Sequence, residues 1–142
     1  MAVRVLLVDD EEQFVDVLGQ RLEARGLAVS TAHSGDDALR WLGEHEVDVV
    51  VLDVLMPGRS GVETLREIKG SKPLTEVIML TGNATVESAI EGMRLGAYDY
   101  LMKPTETDDL VTKIVKACKR KLAQEERIRQ AEVDRILRSR GW

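Results

Sequence analysis

Five times along this chain a short apolar run gives way to a segment whose apolar residues recur every three or four positions, and that alternation restricts the fold more than any other feature. Val3–Val8, Leu27–Ala32, Val47–Asp53, Val77–Thr81 and Tyr98–Met102 read as strands. The segments between them read as helices. The first carries Phe14, Val17, Leu18 and Leu22 at helical spacing and stops at Gly26. The second is capped by Ser34 and turns Ala38, Leu39 and Leu42 inward. The third follows the loop from Met56 to Gly61, presents Val62, Leu65 and Ile68, and ends near Gly70. The fourth runs from about Thr85 to Leu95, with Val86, Ala89, Ile90 and Met93 facing inward, and Gly96 ends it. Thr107 or Asp108 caps the fifth, on which Ile114 and Cys118 point to the core.

Strands alternating with helices mean an α/β domain with a parallel sheet. Right-handed crossovers leave few topologies, and for five strands the doubly wound order 2-1-3-4-5 fits best. That order puts ligands at the carboxyl ends of strands 1 and 3.

The polar residues can be set against that expectation. Strand 1 ends in Asp9-Asp10, followed by Glu11-Glu12; strand 3 ends in Asp53 and strand 4 in Thr81; Lys103 follows strand 5. Three carboxylates, a hydroxyl and an ammonium would share one rim. Crowded carboxylates either rise in pKa or hold a cation, and a hard divalent ion with oxygen ligands is the natural one. Mg²⁺ takes one or two carboxylates and keeps waters. The expected ligands are Asp10 and Asp53 directly, Asp9 through water, and the backbone carbonyl of Leu55. No Cys/His cluster indicates zinc. A carboxylate beside Mg²⁺ and a lysine is also a nucleophile toward phosphorus, with the metal and Lys103 offsetting transition-state charge. Thr81 would then meet a phosphoryl oxygen only when one is present, a contact specific to one state.

Singly, each of these residues has an ordinary reading. Asp9-Asp10 can cap a helix, Asp53 can form a turn, and Lys103 before a proline can be a solvated loop residue. Tyr100 can be simple packing. Their coincidence on four strand ends gives the phosphoryl reading its weight. His33 and His45 lack partners suggesting chemistry and read as surface residues, and neither a Walker A nor a G-x-G-x-x-G pattern occurs.

Val-Leu-Leu-Val-Asp9-Asp10-Glu, Val-Val-Val-Leu-Asp53-Val-Leu-Met-Pro57-Gly, Met-Leu-Thr81-Gly and Ala97-Tyr98-Asp99-Tyr100-Leu-Met-Lys103-Pro104 resemble the motif set of bacterial response-regulator receiver domains, the CheY-like switches of two-component signalling. The resemblance covers about residues 3–120 and implies a (βα)5 flavodoxin-like fold. It also implies that the acidic pair binds Mg²⁺, that Asp53 receives phosphate from a histidine kinase or phosphotransfer protein, and that Thr81 and Tyr100 move together on activation. The Lys103–Pro104 peptide is expected to be cis. The face made by the fourth helix, fifth strand and fifth helix is where a downstream protein should dock. Leu55 and Asn83, two positions after the phosphorylated Asp and the switch Thr, would tune hydrolysis, and an apolar Leu55 suggests a long-lived phosphoryl group.

Rival readings stay open. An aspartate-nucleophile phosphatase needs a second Asp two positions after its nucleophile, where Leu55 stands. A degenerate receiver would bind partners without phosphorylation. Thr81-Gly-Asn-Ala-Thr-Val-Glu-Ser-Ala-Ile resembles receivers attached to ATPase transcriptional activators, so the chain can also be read as the N-terminal fragment of one; the stand-alone regulator is preferred.

With 142 residues and net charge −5, one domain is expected and direct nucleic-acid binding is not. Residues 1–120, read as the receiver domain, hold 21 acidic and 14 basic residues, a balance of −7; residues 121–142, read as a helical extension, hold 4 and 6, a balance of +2. The extension is rich in helix formers and should lengthen the last helix. Its apolar residues keep no clean heptad, so it is expected to be a solvated helix or a partner-binding or dimerising segment. One cysteine, Cys118, no apolar run near ~20 residues and no signal-like N-terminus suggest the cytoplasm.

Overall fold

The computed structural model describes residues 2–82 and 85–141. Strands β1 (Arg4–Val8), β2 (Ala28–Ala32), β3 (Val49–Leu52), β4 (Glu76–Thr81) and β5 (Asp99–Met102) form one parallel sheet in the order β2-β1-β3-β4-β5. Helices α1 (Glu12–Glu23), α2 (Gly35–Glu44), α3 (Gly61–Ser71), α4 (Val86–Arg94) and α5 (Thr107–Ser139) make the connections. The expected fold class and strand order are both found.

Side chains alternate across a strand, so each continuous apolar run feeds two cores. Leu6, Val8, Val50, Leu52, Val77 and Met79 meet Ala38 and Leu42 of α2 and Leu65 and Ile68 of α3 on one face. Val5, Leu7, Val49, Val51, Ile78 and Leu80 meet Val15, Leu18 and Leu22 of α1 and Leu110, Ile114, Ala117 and Cys118 of α5 on the other. Burying each large side chain here contributes ~1.5–3 kcal/mol as an upper figure. The central strands β1, β3 and β4 are therefore apolar on both sides between their end residues, and the polar residue that closes each apolar run marks the carboxyl edge of the sheet.

Several helical details differ from the sequence reading. On α1 the buried positions are Val15, Leu18, Gly19 and Leu22, while Val17 is exposed. The buried face is rotated by one residue because α1 must lie over Leu7 and Val29, which its own periodicity does not encode. Helix α5 is capped by Glu106, not by Thr107 or Asp108, and without a side-chain cap bond. The largest departure is α4. Ala89 is half-buried, but Val86 is 76% exposed and Ile90 and Met93 are exposed as well. Gly92 is the residue of α4 that is buried; a Cβ there would meet Met79 Cγ and Tyr100 Cδ2 at 3.7 Å. The apolar stripe at 86, 90 and 93 faces away from that contact.

Other expectations hold. Ser34 accepts from Asp37 N–H as the α2 cap. Gly26 (φ 89°) and Gly96 (φ 98°) end α1 and α4 in the left-handed region. Helix α5 does continue into the C-terminal segment, and its last buried residue is Lys121. Beyond it, Arg129–Glu126 and Arg135–Glu132 pairs and the Gln130–Asp134 bond support a helix with little tertiary cover. Among the described residues no helix is long and apolar enough to cross a membrane.

Candidate functional site

The sheet ladder runs one residue past each central strand. Asp9 N–H donates to the Ala32 carbonyl at 3.1 Å, and Asp53 N–H to the Val8 carbonyl at 2.9 Å. Both aspartates are thus held by the rigid sheet as it ends, at the crevice where β1 and β3 diverge toward opposite halves. Asp9 is then turned by its own side chain, whose Oδ1 accepts from Glu11 N–H at 3.0 Å. The chain reverses there and enters α1, which leaves Asp10 exposed at the rim.

Carboxylate oxygens of Asp9, Asp10 and Asp53 lie within 4.8 Å of one another. Asp9 and Asp53 are buried, at 3% and 6% exposure. From the other side Lys103 reaches in from the end of β5, past Gly82, and its Nζ stands 2.6 Å from Asp9 Oδ2 and 3.5 Å from Glu11 Oε1. The same ammonium lies over the Phe14 ring, 4.0 Å from its centroid. Buried Thr81 directs its hydroxyl to the Asp53 carboxylate. The peptide Lys103–Pro104 is cis, as expected.

Burial pushes the Asp53 carboxyl above the usual aspartate range, and the negative charge of Asp9 adds to that. Lys103, the Thr81 hydroxyl and the Val54 N–H oppose the rise without cancelling it. For Lys103, burial alone would lower the pKa, but the bond to Asp9 and the charges of Asp9, Asp53 and Glu11 outweigh it and raise it.

A carboxyl whose pKa is higher folded than unfolded binds its proton more tightly in the native state. Asp53 therefore costs no stability below the ordinary carboxylate range, and its cost grows as pH rises through that range to the folded value. At neutral pH the ionised side chain is a net burden. Asp53→Asn should stabilise the chain by about 1 kcal/mol in chelator-containing buffer at pH 7, with the gain shrinking toward pH 4. Paired thermal melts at the two pH values check it; an unchanged or lower melting temperature at pH 7 would count against the burden.

These donors suit a hard divalent cation. They are all carboxylate oxygens, the cluster holds no His or Cys, and the exposure of Asp10 leaves water access for ligands that the protein does not supply. The Asp53 pKa is raised by burial first and by the charge of Asp9 second, and a bound cation would favour the ionised carboxylate against both.

The structure gathers Asp9, Asp10, Asp53, Thr81 and Lys103 on one rim, as the strand-end pattern predicts. Lys103 sits on Asp9 rather than on Asp53, and Thr81 already has Asp53 as its partner. Leu55 lies in the β3–α3 loop with its side chain exposed. Tyr100 is half-buried, and its hydroxyl pairs with Ser88 Oγ at 2.8 Å in the first turn of α4. Asn83 lies outside the described residues. His33 is not a plain surface residue: it is half-buried, and its Nδ1 lies 3.3 Å from the Asp9 carbonyl. His45 is exposed and stacks on Trp41.

Sequence reading missed three neighbours of the site. Phe14, at helical spacing, does pack on the core, but its ring also faces the lysine. Gly61 looked like a turn glycine and instead lies against the Asp53–Val54 backbone. Ser88 carried no signal, yet it joins the Thr85 capping box to Tyr100.

Known proteins of the same architecture carry the same arrangement of strands. A CheY-like response regulator receiver domain protein from Methanospirillum hungatei superposes with a TM-score of 0.84 at 28% identity, over 87% of this chain and 99% of that one. A response regulator receiver domain protein from Clostridium thermocellum matches at 38% identity and TM-score 0.81, over 86% and 98%. NtrX from Brucella abortus, solved with ADP, matches at 32% identity and TM-score 0.82 over 89% of this chain, which spans only 29% of the NtrX chain. The family model described as the response regulator receiver domain matches residues 5–115, every strand and the rim included. On its sequence, its sheet order and these matches, the chain belongs to the response regulator receiver family.

Proposed function

We propose that Asp53 is the phosphoacceptor of this receiver and that phosphorylation there is its switching event. The observation that carries the reading is a buried carboxylate, raised in pKa beside Asp9, with the ammonium of Lys103 and the hydroxyl of Thr81 at the same rim. An Asp53 oxygen attacks the donor's phosphorus, the bond from phosphorus to the leaving group breaks, and that group departs with the electron pair. For a phosphohistidine donor the leaving group is an imidazole nitrogen, which fits a histidine kinase or phosphotransfer protein as the source. Asp10 and Asp53 would hold Mg²⁺ directly, with Asp9 through water and the Leu55 carbonyl as the remaining protein ligands. When bound, Mg²⁺ supplies charge neutralisation at the phosphoryl oxygens.

Lys103 then has two tasks. It balances Asp9 in the free protein, and it shifts to a phosphoryl oxygen during transfer. Thr81 exchanges the Asp53 carboxylate for a phosphoryl oxygen, and Tyr100 follows it. Tyr100 holds Ser88, so its movement would loosen the first turn of α4, whose exposed Val86, Ile90 and Met93 suit a downstream protein docking on α4, β5 and α5. The chain promotes only its own phosphorylation and dephosphorylation. Residues 1–120 form the receiver proper, and the extension from 121 is a partner-binding or dimerising helix in the cytoplasm.

A second output reading rests on the resemblance of the segment from Thr81 to Ile90 to receivers attached to ATPase transcriptional activators, and on a match that spans only 29% of the NtrX chain: the receiver would control further domains. Both readings share the Asp53 step. Incubation with acetyl phosphate, with and without Mg²⁺, should add one phosphoryl group by intact mass only when Mg²⁺ is present. Asp53→Asn should gain none. A wild-type chain that stays unmodified would favour the phosphorylation-independent module.

A further inference from the structure

Among the described residues, Phe14 is the aromatic ring that lies against the lysine of the rim. It sits half-buried on the first turn of α1, close after the acidic pair, with its ring under Lys103 Nζ at 4.0 Å. Buried Val15 and Leu18 dock α1 on the sheet, and Phe14 packs against the same core from a half-buried position that leaves its ring at the rim. Phe14 also forms a wall of a small cleft with Val17, Leu18, Leu80, Lys103 and Pro104.

We infer that Phe14 is a positioning residue for Lys103: its ring face keeps the ammonium at the rim while the lysine exchanges Asp9 for the incoming phosphoryl group. The inference rests on the phosphoacceptor reading of Asp53. Its physical basis is the difference between the two contacts that hold the lysine. The pair with Asp9 Oδ2 at 2.6 Å is short, charged and directional, and by itself it would keep the ammonium on Asp9. Attraction to a ring face is broad, because the quadrupole favours a cation over a range of positions within about 6 Å of the centroid. The ammonium can slide across Phe14 without losing that contact. A ring also excludes water from one side of the ammonium, which strengthens its interaction with the phosphoryl oxygens.

Phe14 carries no group that reacts with phosphorus or hydrogen-bonds a carboxylate, so its effect passes through the lysine over its ring. Phe14→Leu keeps an apolar side chain of similar reach and removes the quadrupole. Its rate of phosphorylation at saturating acetyl phosphate and Mg²⁺ should fall about three- to tenfold, within the range of a partly desolvated cation–π contact. The donor concentration at half-maximal rate should stay within twofold. Phe14→Tyr, which retains the ring face, should restore the wild-type rate. Val17→Ala, an exposed position of the same cleft that offers the ammonium no ring face, should leave the rate unchanged.

Thermal melts of all variants separate loss of fold from loss of positioning. An unchanged rate in Phe14→Leu beside a phosphorylated wild type would overturn the role of Phe14 alone. A fall that Phe14→Tyr fails to restore, or that Val17→Ala reproduces, would overturn it also. If the wild type takes up no phosphate, the phosphoacceptor reading fails and this inference fails with it.

Discussion

Lys121→Ala should be destabilised by about 3 kcal/mol, a drop of roughly 10 °C in melting temperature. Lys121 is 4% exposed, and its Nζ lies 3.2 Å from Asp48 Oδ1 at the amino-terminal edge of the sheet. Asp48 is itself buried and also accepts from the Arg4 backbone N–H at 2.8 Å and the Arg4 guanidinium at 3.1 Å. Burial alone would raise the Asp48 carboxyl, but Arg4 and then Lys121 outweigh it and hold its pKa below the usual range. Removing Lys121 leaves a buried carboxylate with a half-exposed arginine. Breaking a buried pair costs about 3–5 kcal/mol, and the surviving Arg4 contact puts this case at the lower end.

The sign with pH follows from the depressed Asp48 pKa. Its stabilisation is present above the ordinary aspartate value of about 3.9 and is lost as pH falls through the folded value. The deficit of Lys121→Ala should accordingly narrow in acid. Replacing both partners, as Asp48→Asn with Lys121→Met, should recover part of the loss at pH 7, since no unpaired buried charge remains: the charges that lose a partner, Arg4 and Glu125, are both open to solvent. Denaturant titrations of the single and double variants check both statements. A deficit under 1 kcal/mol would mean that Arg4 alone satisfies Asp48.

Gly61→Ala should damage fold and switch together. A Cβ at Gly61 would collide with the Asp53 carbonyl oxygen and stand 2.6 Å from Val54 Cα and 2.9 Å from Asp53 C. All three obstacles are backbone, so no side-chain rotation relieves them. The Gly61 N–H also donates to the Val54 carbonyl at 2.8 Å, which fixes the start of α3 against the end of β3. Overpacking of this kind costs about 3 kcal/mol or more. Whatever relaxes must move the backbone that carries Asp53, and a shift near 1 Å at a reacting group costs about 100-fold in rate. The variant should melt well below wild type and, where still folded, take phosphate from acetyl phosphate about 100-fold more slowly. Equal rates in folded Gly61→Ala and wild type would show that the β3–α3 junction absorbs the methyl group elsewhere.

How far the sequence carries this account depends on which interactions are local. The apolar runs of β1, β3 and β4 are buried on both faces, so composition alone identifies them, and the crossover rules then order the sheet. Asp9, Asp53 and Thr81 were legible because each is the first polar residue after such a run; Asp10 follows Asp9 directly, and Lys103 is the first residue past the end of β5. The stripe of Val86, Ile90 and Met93 was misread for a physical reason: apolar periodicity reports a face that avoids water in some state, not which partner covers it. Val17 fails similarly, since Val15 and Val17 are equally apolar and the α1 contact with Val29 decides between them.

Charges buried by distant partners left no signal at all. Asp48 and Lys121 are 73 positions apart, and Glu76 meets Lys69 and Arg120 through tertiary packing. The pairing of Lys103 with Asp9, and the ring of Phe14 beneath it, depend in the same way on how α1 settles against the end of β5.

The most direct test of the central claim asks which atom carries the phosphate. Wild-type chain treated with acetyl phosphate and Mg²⁺ would be reduced with borohydride, which converts an aspartyl phosphate to homoserine, then digested and sequenced by mass spectrometry. The account predicts homoserine at position 53 and aspartate at positions 9 and 10. Homoserine at another aspartate, or phosphate on a hydroxyl that survives reduction, would contradict it.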